Sequence, residues 1–171
     1  MFAATFAVFA LGCGGGARRP VGVSTASAGG GAPAVHDAGA PHGPSSIPPD
    51  FRTSLTKINH ARFVSNGHAG GRYDVDVYAN AAGKSAALSA SGDVPVGARL
   101  VKEHFERTGD SVQPGPVMMM EKMDRGFDPE HGDWAYVVVN SAGQQVQNGR
   151  VEACTGCHDD APHDHVFRVA E

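Results

Sequence analysis

The chain has 171 residues, 14 of them basic and 18 acidic, for a net charge of −4. That length suits one domain plus an extension. No basic stripe stands out in a charge balance this mild, which excludes nucleic acid as the expected partner. Many of the 23 glycines lie before residue 48, so the ordered domain is expected to be shorter than the chain.

Phe2 to Leu11 is almost wholly apolar and has the length of a signal h-region, too short to span a bilayer. It leads into Ala10-Leu11-Gly12-Cys13, small residues before a cysteine, as at a bacterial lipoprotein processing site. The competing reading is an ordinary signal peptide with a chance cysteine. Residues 1–13 are therefore read as a signal segment with Cys13 as the lipid-attachment residue, which predicts a periplasmic protein anchored to a membrane. Residues 14–47 are rich in Gly, Ala, Pro and Ser, cannot bury a core, and are expected to form a disordered tether. His36 and His42 lie in it and are read as solvated.

The domain, 48–171, opens after two prolines with Asp50 as a helix N-cap. Phe51, Leu55 and Ile58 follow at helical spacing, and Asn66-Gly67 ends that predicted helix. Tyr73, Val75 and Val77 alternate with Asp74 and Asp76, a half-buried strand. Asn80 to Ser89 is Ala-rich and reads as a short helix. Further strands are expected over Ala98–Phe105, Val117–Met123 and Trp134–Asn140, with a turn at Ser141-Ala142-Gly143 and a partner strand over Gln144–Val151. The fold class is α+β: a mostly antiparallel sheet with a few helices.

Alternation puts Ala98, Leu100, Lys102 and His104 on one face of the second strand. A lysine there is either a snorkelling surface residue or one that is neutral and chemically used. On the third strand Val117, Met119, Glu121 and Met123 share a face, opposite Met118, Met120 and Lys122. A carboxylate among apolar side chains could act as a base; otherwise Glu121 is salt-bridged to Lys122 or Arg125. The methionines read as core filler or as a source of an axial sulfur ligand.

Cys154-Thr155-Gly156-Cys157-His158 has the spacing of c-type haem attachment. Two thiols add to the two vinyl groups, and the adjacent histidine reaches the iron as axial ligand. The alternatives are a zinc site completed by His163 or His165 and a redox dithiol, for which the βαβ context is missing. His163 and His165 are read as surface residues beside Asp159, Asp160 and Asp164. Only 13 residues follow His158, so the fold that surrounds the haem lies upstream.

From about Phe51 to Phe167 the domain resembles the cytochrome P-460 family. The resemblance rests on Tyr73 to Asn80, on Val96-Gly97-Ala98-Arg99-Leu100-Val101-Lys102-Glu103, on Gly132-Asp133-Trp134-Ala135-Tyr136, and on the late haem motif followed by Asp164 to Phe167. It implies a mostly antiparallel β protein, usually a homodimer, with one covalent haem c. Lys102 matches the lysine joined to the porphyrin edge in the enzymatic members, and Glu121 looks like their distal, proton-managing glutamate. The implied reaction is oxidation of hydroxylamine to nitrous oxide at a five-coordinate haem, and a periplasmic electron acceptor is expected as partner. Relatives without the lysine link resemble cytochrome c′-beta and bind nitric oxide or carbon monoxide without turnover. An electron carrier with Met119 or Met123 as sixth ligand is the third reading.

Overall fold

A computed structural model describes residues 43–89, 92–109 and 111–169. Cys13, His36 and His42 lie outside the described residues. The elements run α1 (Phe51–Ser54), β1 (Thr56–Lys57), β2 (Phe63–Val64), β3 (Tyr73–Ala79), α2 (Ala81–Leu88), β4 (Arg99–Thr108), β5 (Ser111–Lys122), β6 (Trp134–Val139), β7 (Gln145–Gly149) and α3 (Glu152–His158). All pairings are antiparallel. β3 to β7 form a meander, and the short β1 and β2 share the outer edge of β3. The fold is therefore the α+β architecture expected from the alternation.

The predicted helix from Phe51 shrinks to four residues. Thr53 and Ser54 send their hydroxyls to the Asp50 carbonyl, 3.0 and 3.2 Å away, competing with helix propagation. The Asp50 carboxylate caps nothing. Leu55 is already extended, and the Ile58 N–H donates to the Val77 carbonyl at 2.9 Å, so sheet pairing captures the segment. Ser45 and Ile47, assigned to the tether, pack on the domain. The Ser45 N–H donates to Glu121, and Ile47 rests against a core cluster of Phe51, Tyr78, Val101, Met119 and Val137.

α2 forms as its sequence suggests. The Asn80 side chain caps it by accepting the Gly83 N–H at 2.8 Å. Gly83 sits so close to β4 that a Cβ there would meet the Arg99 carbonyl oxygen at 2.0 Å. Its buried Ala86 and Ala87 press the helix onto one sheet face, together with Val75, Val77, Ala79, Leu100, Met120, Trp134 and Tyr136. The second cluster, around Met119, fills the opposite face. The register Val77↔Lys102↔Met118↔Val138 puts Lys102 on the α2 side.

β5 starts earlier than predicted, through Pro114, Gly115 and Pro116. The register slips between Glu103 and Phe105, a bulge at which missing proline N–H groups are tolerated. Gly115 is a tight position there, since a Cβ would press on His104 and the Tyr73 ring at 3.0–3.1 Å.

Candidate haem site

The attachment motif lies on α3, not on a strand. Cys154, Cys157 and His158 are related by three and four residues, so their side chains share one helix face. Thr155 turns inward and is buried, while Gly156 is exposed. Both cysteines are free thiols. Burial, then the neighbouring Cys157, pushes the Cys154 thiol up.

His158 is held on three sides. Its ring lies 5.4 Å from that of Tyr136 and 5.5 Å from that of Phe167. Its Nδ1 donates to the His165 carbonyl at 2.8 Å, which leaves Nε2 as the unprotonated nitrogen of the neutral ring. Burial is the main influence on this imidazole and lowers its pKa.

The carbonyl is presented by an unusual turn: Asp164 and His165 both adopt positive φ, 41° and 62°. The sheet pins that turn. Lys122 Nζ reaches both Asp164 carboxylate oxygens at 2.7 Å, and Trp134 Nε1 donates to the Asp164 carbonyl at 2.8 Å. Gly132 lies directly under the His165 ring, where a Cβ would come within 2.3 Å. Two of the segments singled out in the sequence, around Gly132–Trp134 and Asp164–Phe167, are thus one contact that aims His158.

Lys102 is half-buried on the same sheet face. Burial lowers its pKa, and no carboxylate opposes that shift. The same amine acts electrostatically on His68, His104 and His158. Lys102 shares its strand face with His104, two residues further along β4. His104 is fully buried on β4, and the loop after β2 lays His68 against it with 2.5 Å between His68 Nδ1 and His104 Nε2. The buried Tyr136 hydroxyl has no hydrogen-bond partner among the described residues.

A family model described as Cytochrome P460 matches residues 51–168. The chain belongs to the cytochrome P460 family. No curated protein matches it.

Membership makes this chain a haem-binding cytochrome of oxidoreductase kind. Its own residues fit such a group. Cys154, Cys157 and His158 share one helix face, His158 has a fixed N–H partner of the kind that orients iron-ligating histidines, and the unpartnered Tyr136 hydroxyl lies beside it. No zinc site completed by His163 or His165 is present: among the described residues, no group of three or more His, Cys, Asp or Glu side chains could hold a metal ion. His163 is buried rather than a surface residue, and His165 is half-buried.

In the cytochrome P460 domain the two strand residues singled out in the sequence, Lys102 and Glu121, face opposite ways. Glu121 lies on the opposite sheet face from Lys102, as the register Arg99↔Glu121↔Ala135 requires. There it binds Arg99 at 2.7 Å and accepts the Ser45 N–H at 2.9 Å. The salt bridge expected of Glu121 forms with Arg99 and not with Lys122 or Arg125. Met119 shares that back face, 2% exposed, and Met123 has the same parity at the strand end. Met119 is thus on the sheet face opposite Lys102. Met118 and Met120 face the Lys102 side instead.

The alternation of β4 had already put His104 beside Lys102. His68 was missed because it lies in a loop whose approach depends on three successive left-handed residues, Ala69, Gly70 and Gly71.

Proposed function

We propose that this cytochrome carries one haem c, held by thioether bonds from Cys154 and Cys157, with His158 as axial ligand and Lys102 joined to the macrocycle edge. On this reading it oxidises hydroxylamine or a related small nitrogen species and passes electrons to a periplasmic acceptor. The observation that carries the reading is the Lys102 amine, desolvated on the same sheet face as His158 with no carboxylate to keep it charged. An amine must be neutral to attack carbon, and burial favours that state.

When bound, the haem would supply an electrophilic iron and a route for electrons. The protein's own residues orient and exclude. The His165 carbonyl fixes the His158 tautomer, Tyr136 and Phe167 flank its ring, and the Val and Met side chains of β3 and β5 keep water from Lys102. Export and a lipid anchor at Cys13 would place the domain in the periplasm, where haem attachment to thiols takes place, and the family resemblance suggests a homodimer.

A second reading has one specific observation in its favour. With Glu121 turned to the back face, no carboxylate stands beside Lys102 among the described residues, so proton removal from a substrate lacks its expected base. Such a site suits reversible binding of nitric oxide or carbon monoxide. Hydroxylamine consumption by the purified holoprotein with a one-electron acceptor separates the two. Turnover supports oxidation; tight nitric oxide binding with no consumption supports gas binding.

A further inference from the structure

The hydroxyl of Tyr136 is unused in the reading above. The residue is 4% exposed, and its hydroxyl has no hydrogen-bond partner among the described residues. Leaving a hydroxyl buried and unpaired costs about 1–3 kcal/mol, so such a group in a folded protein calls for a physical reason. Phenylalanine would fill the same ring position without stranding an oxygen. A phenol is protonated at neutral pH, and burial raises its pKa further, so the unpaired group is a neutral O–H with a hydrogen bond to give.

The surroundings explain why nothing in the chain accepts it. The register Met120↔Tyr136↔Gly149 flanks the ring with a thioether side chain on one strand and with no side chain on the other. Trp134 shares the face two residues earlier, but its indole can only donate, and that N–H is spent on the Asp164 carbonyl at 2.8 Å. The His158 ring, 5.4 Å from that of Tyr136, donates its Nδ1 proton to the His165 carbonyl, and its Nε2 is the nitrogen kept for iron in the reading above. Cys154 packs against the same cluster without accepting from the hydroxyl.

We propose that Tyr136 Oη donates its hydrogen bond to a carboxylate of the haem. The ring nitrogens of that group hold the iron, and a thioether sulfur is a weak acceptor, which leaves the peripheral carboxylates as its strong acceptors. A carboxylate brought against an apolar cluster needs a donor, and Lys122 Nζ is already held by both Asp164 oxygens. Tyr136 then acts twice on one group: its ring flanks His158, and its O–H fixes an edge of the macrocycle. The inference rests on the haem being held by Cys154, Cys157 and His158. It is independent of the Lys102 link and of the substrate.

The test uses the haem-loaded full chain, native and as Tyr136→Phe, which keeps the ring against His158 and removes only the hydroxyl. Resonance Raman spectra of the reduced protein read the bending modes of the haem carboxylates and the iron–histidine stretch. The expected result is a downward shift of a carboxylate mode in Tyr136→Phe with the iron–histidine stretch unmoved, because only the carboxylate loses a donor. Unmoved carboxylate modes overturn the proposal, since the hydroxyl then bonds to water or to nothing. A crystal structure of the native haem-loaded protein gives a second readout that needs no variant. Oη within about 2.5–3.0 Å of a haem carboxylate oxygen supports the proposal; Oη on water or on no acceptor overturns it. The mass of the denatured chain separates this inference from the reading beneath it. A chain without haem mass overturns both, whereas haem mass with unmoved carboxylate modes overturns this inference alone.

Discussion

The two faces of the sheet bury similar numbers of ionisable groups and treat them in opposite ways. On the back face each buried carboxylate has a cation: Asp76 binds Lys57 and Arg62 at 2.8 and 3.1 Å, Glu103 binds Arg52 at 2.5 Å, and Glu121 binds Arg99 at 2.7 Å. These pairs hold the N-terminal segment and the strands together. On the α2 face Lys102, His68, His104 and His158 are desolvated with no carboxylate shifting Lys102, His68 or His104, and burial drives all of them toward the neutral form. Countercharge makes one face static. Its absence leaves lone pairs and a nucleophilic amine on the other.

Substitutions can break that contrast. The largest effect is expected from Met119→Ala, which empties a fully packed position behind the sheet and should cost about 3 kcal/mol in denaturant unfolding while leaving the haem spectrum unchanged. A lost or altered axial ligand in that variant would put Met119 on the site face after all.

Asp76→Asn comes next, with a loss of about 1–2 kcal/mol at neutral pH. Burial opposes ionisation of Asp76, but hydrogen bonds from Lys57, Arg62 and Asn59 outweigh it and hold the carboxyl below its ordinary 3.8. A depressed folded-state value stabilises above the unfolded value and is lost as pH falls. The native and variant stability curves should therefore run apart above about pH 4 and converge below it. A constant gap down to lower pH would contradict the ion-pair account.

The smallest effect belongs to Glu121→Gln. It should cost about 1 kcal/mol through its contacts with Arg99 and Ser45, with the optical spectrum and any hydroxylamine turnover unchanged. A large loss of turnover at native stability would return Glu121 to the chemistry and erase the division between the faces.

Much of this division was legible in the chain. Alternation alone put Lys102 with His104 and opposed Met118 and Met120 to Met119 and Glu121, because side chains on a strand have period two. What it could not supply was which face of β5 meets which face of β4. The register Lys102↔Met118 supplies it and sets Glu121 on the face opposite Lys102. The helix expected from Phe51 failed because Thr and Ser hydroxyls and the free edge of β3 compete for the same backbone. The haem motif was readable from its spacing. The partner that orients His158 was not, since it is a backbone carbonyl presented by left-handed residues above Gly132.

The central claim is that Lys102 reacts as a neutral amine with the haem held by Cys154, Cys157 and His158. The most direct measurement is the optical spectrum of the reduced holoprotein, native against Lys102→Ala, with the mass of the denatured chain taken alongside. The account predicts that both proteins retain haem mass, that the native Soret band lies well to the red of ordinary haem c, and that Lys102→Ala returns it. Identical spectra at the ordinary haem c position would contradict it and leave Lys102 a buried lysine without chemistry.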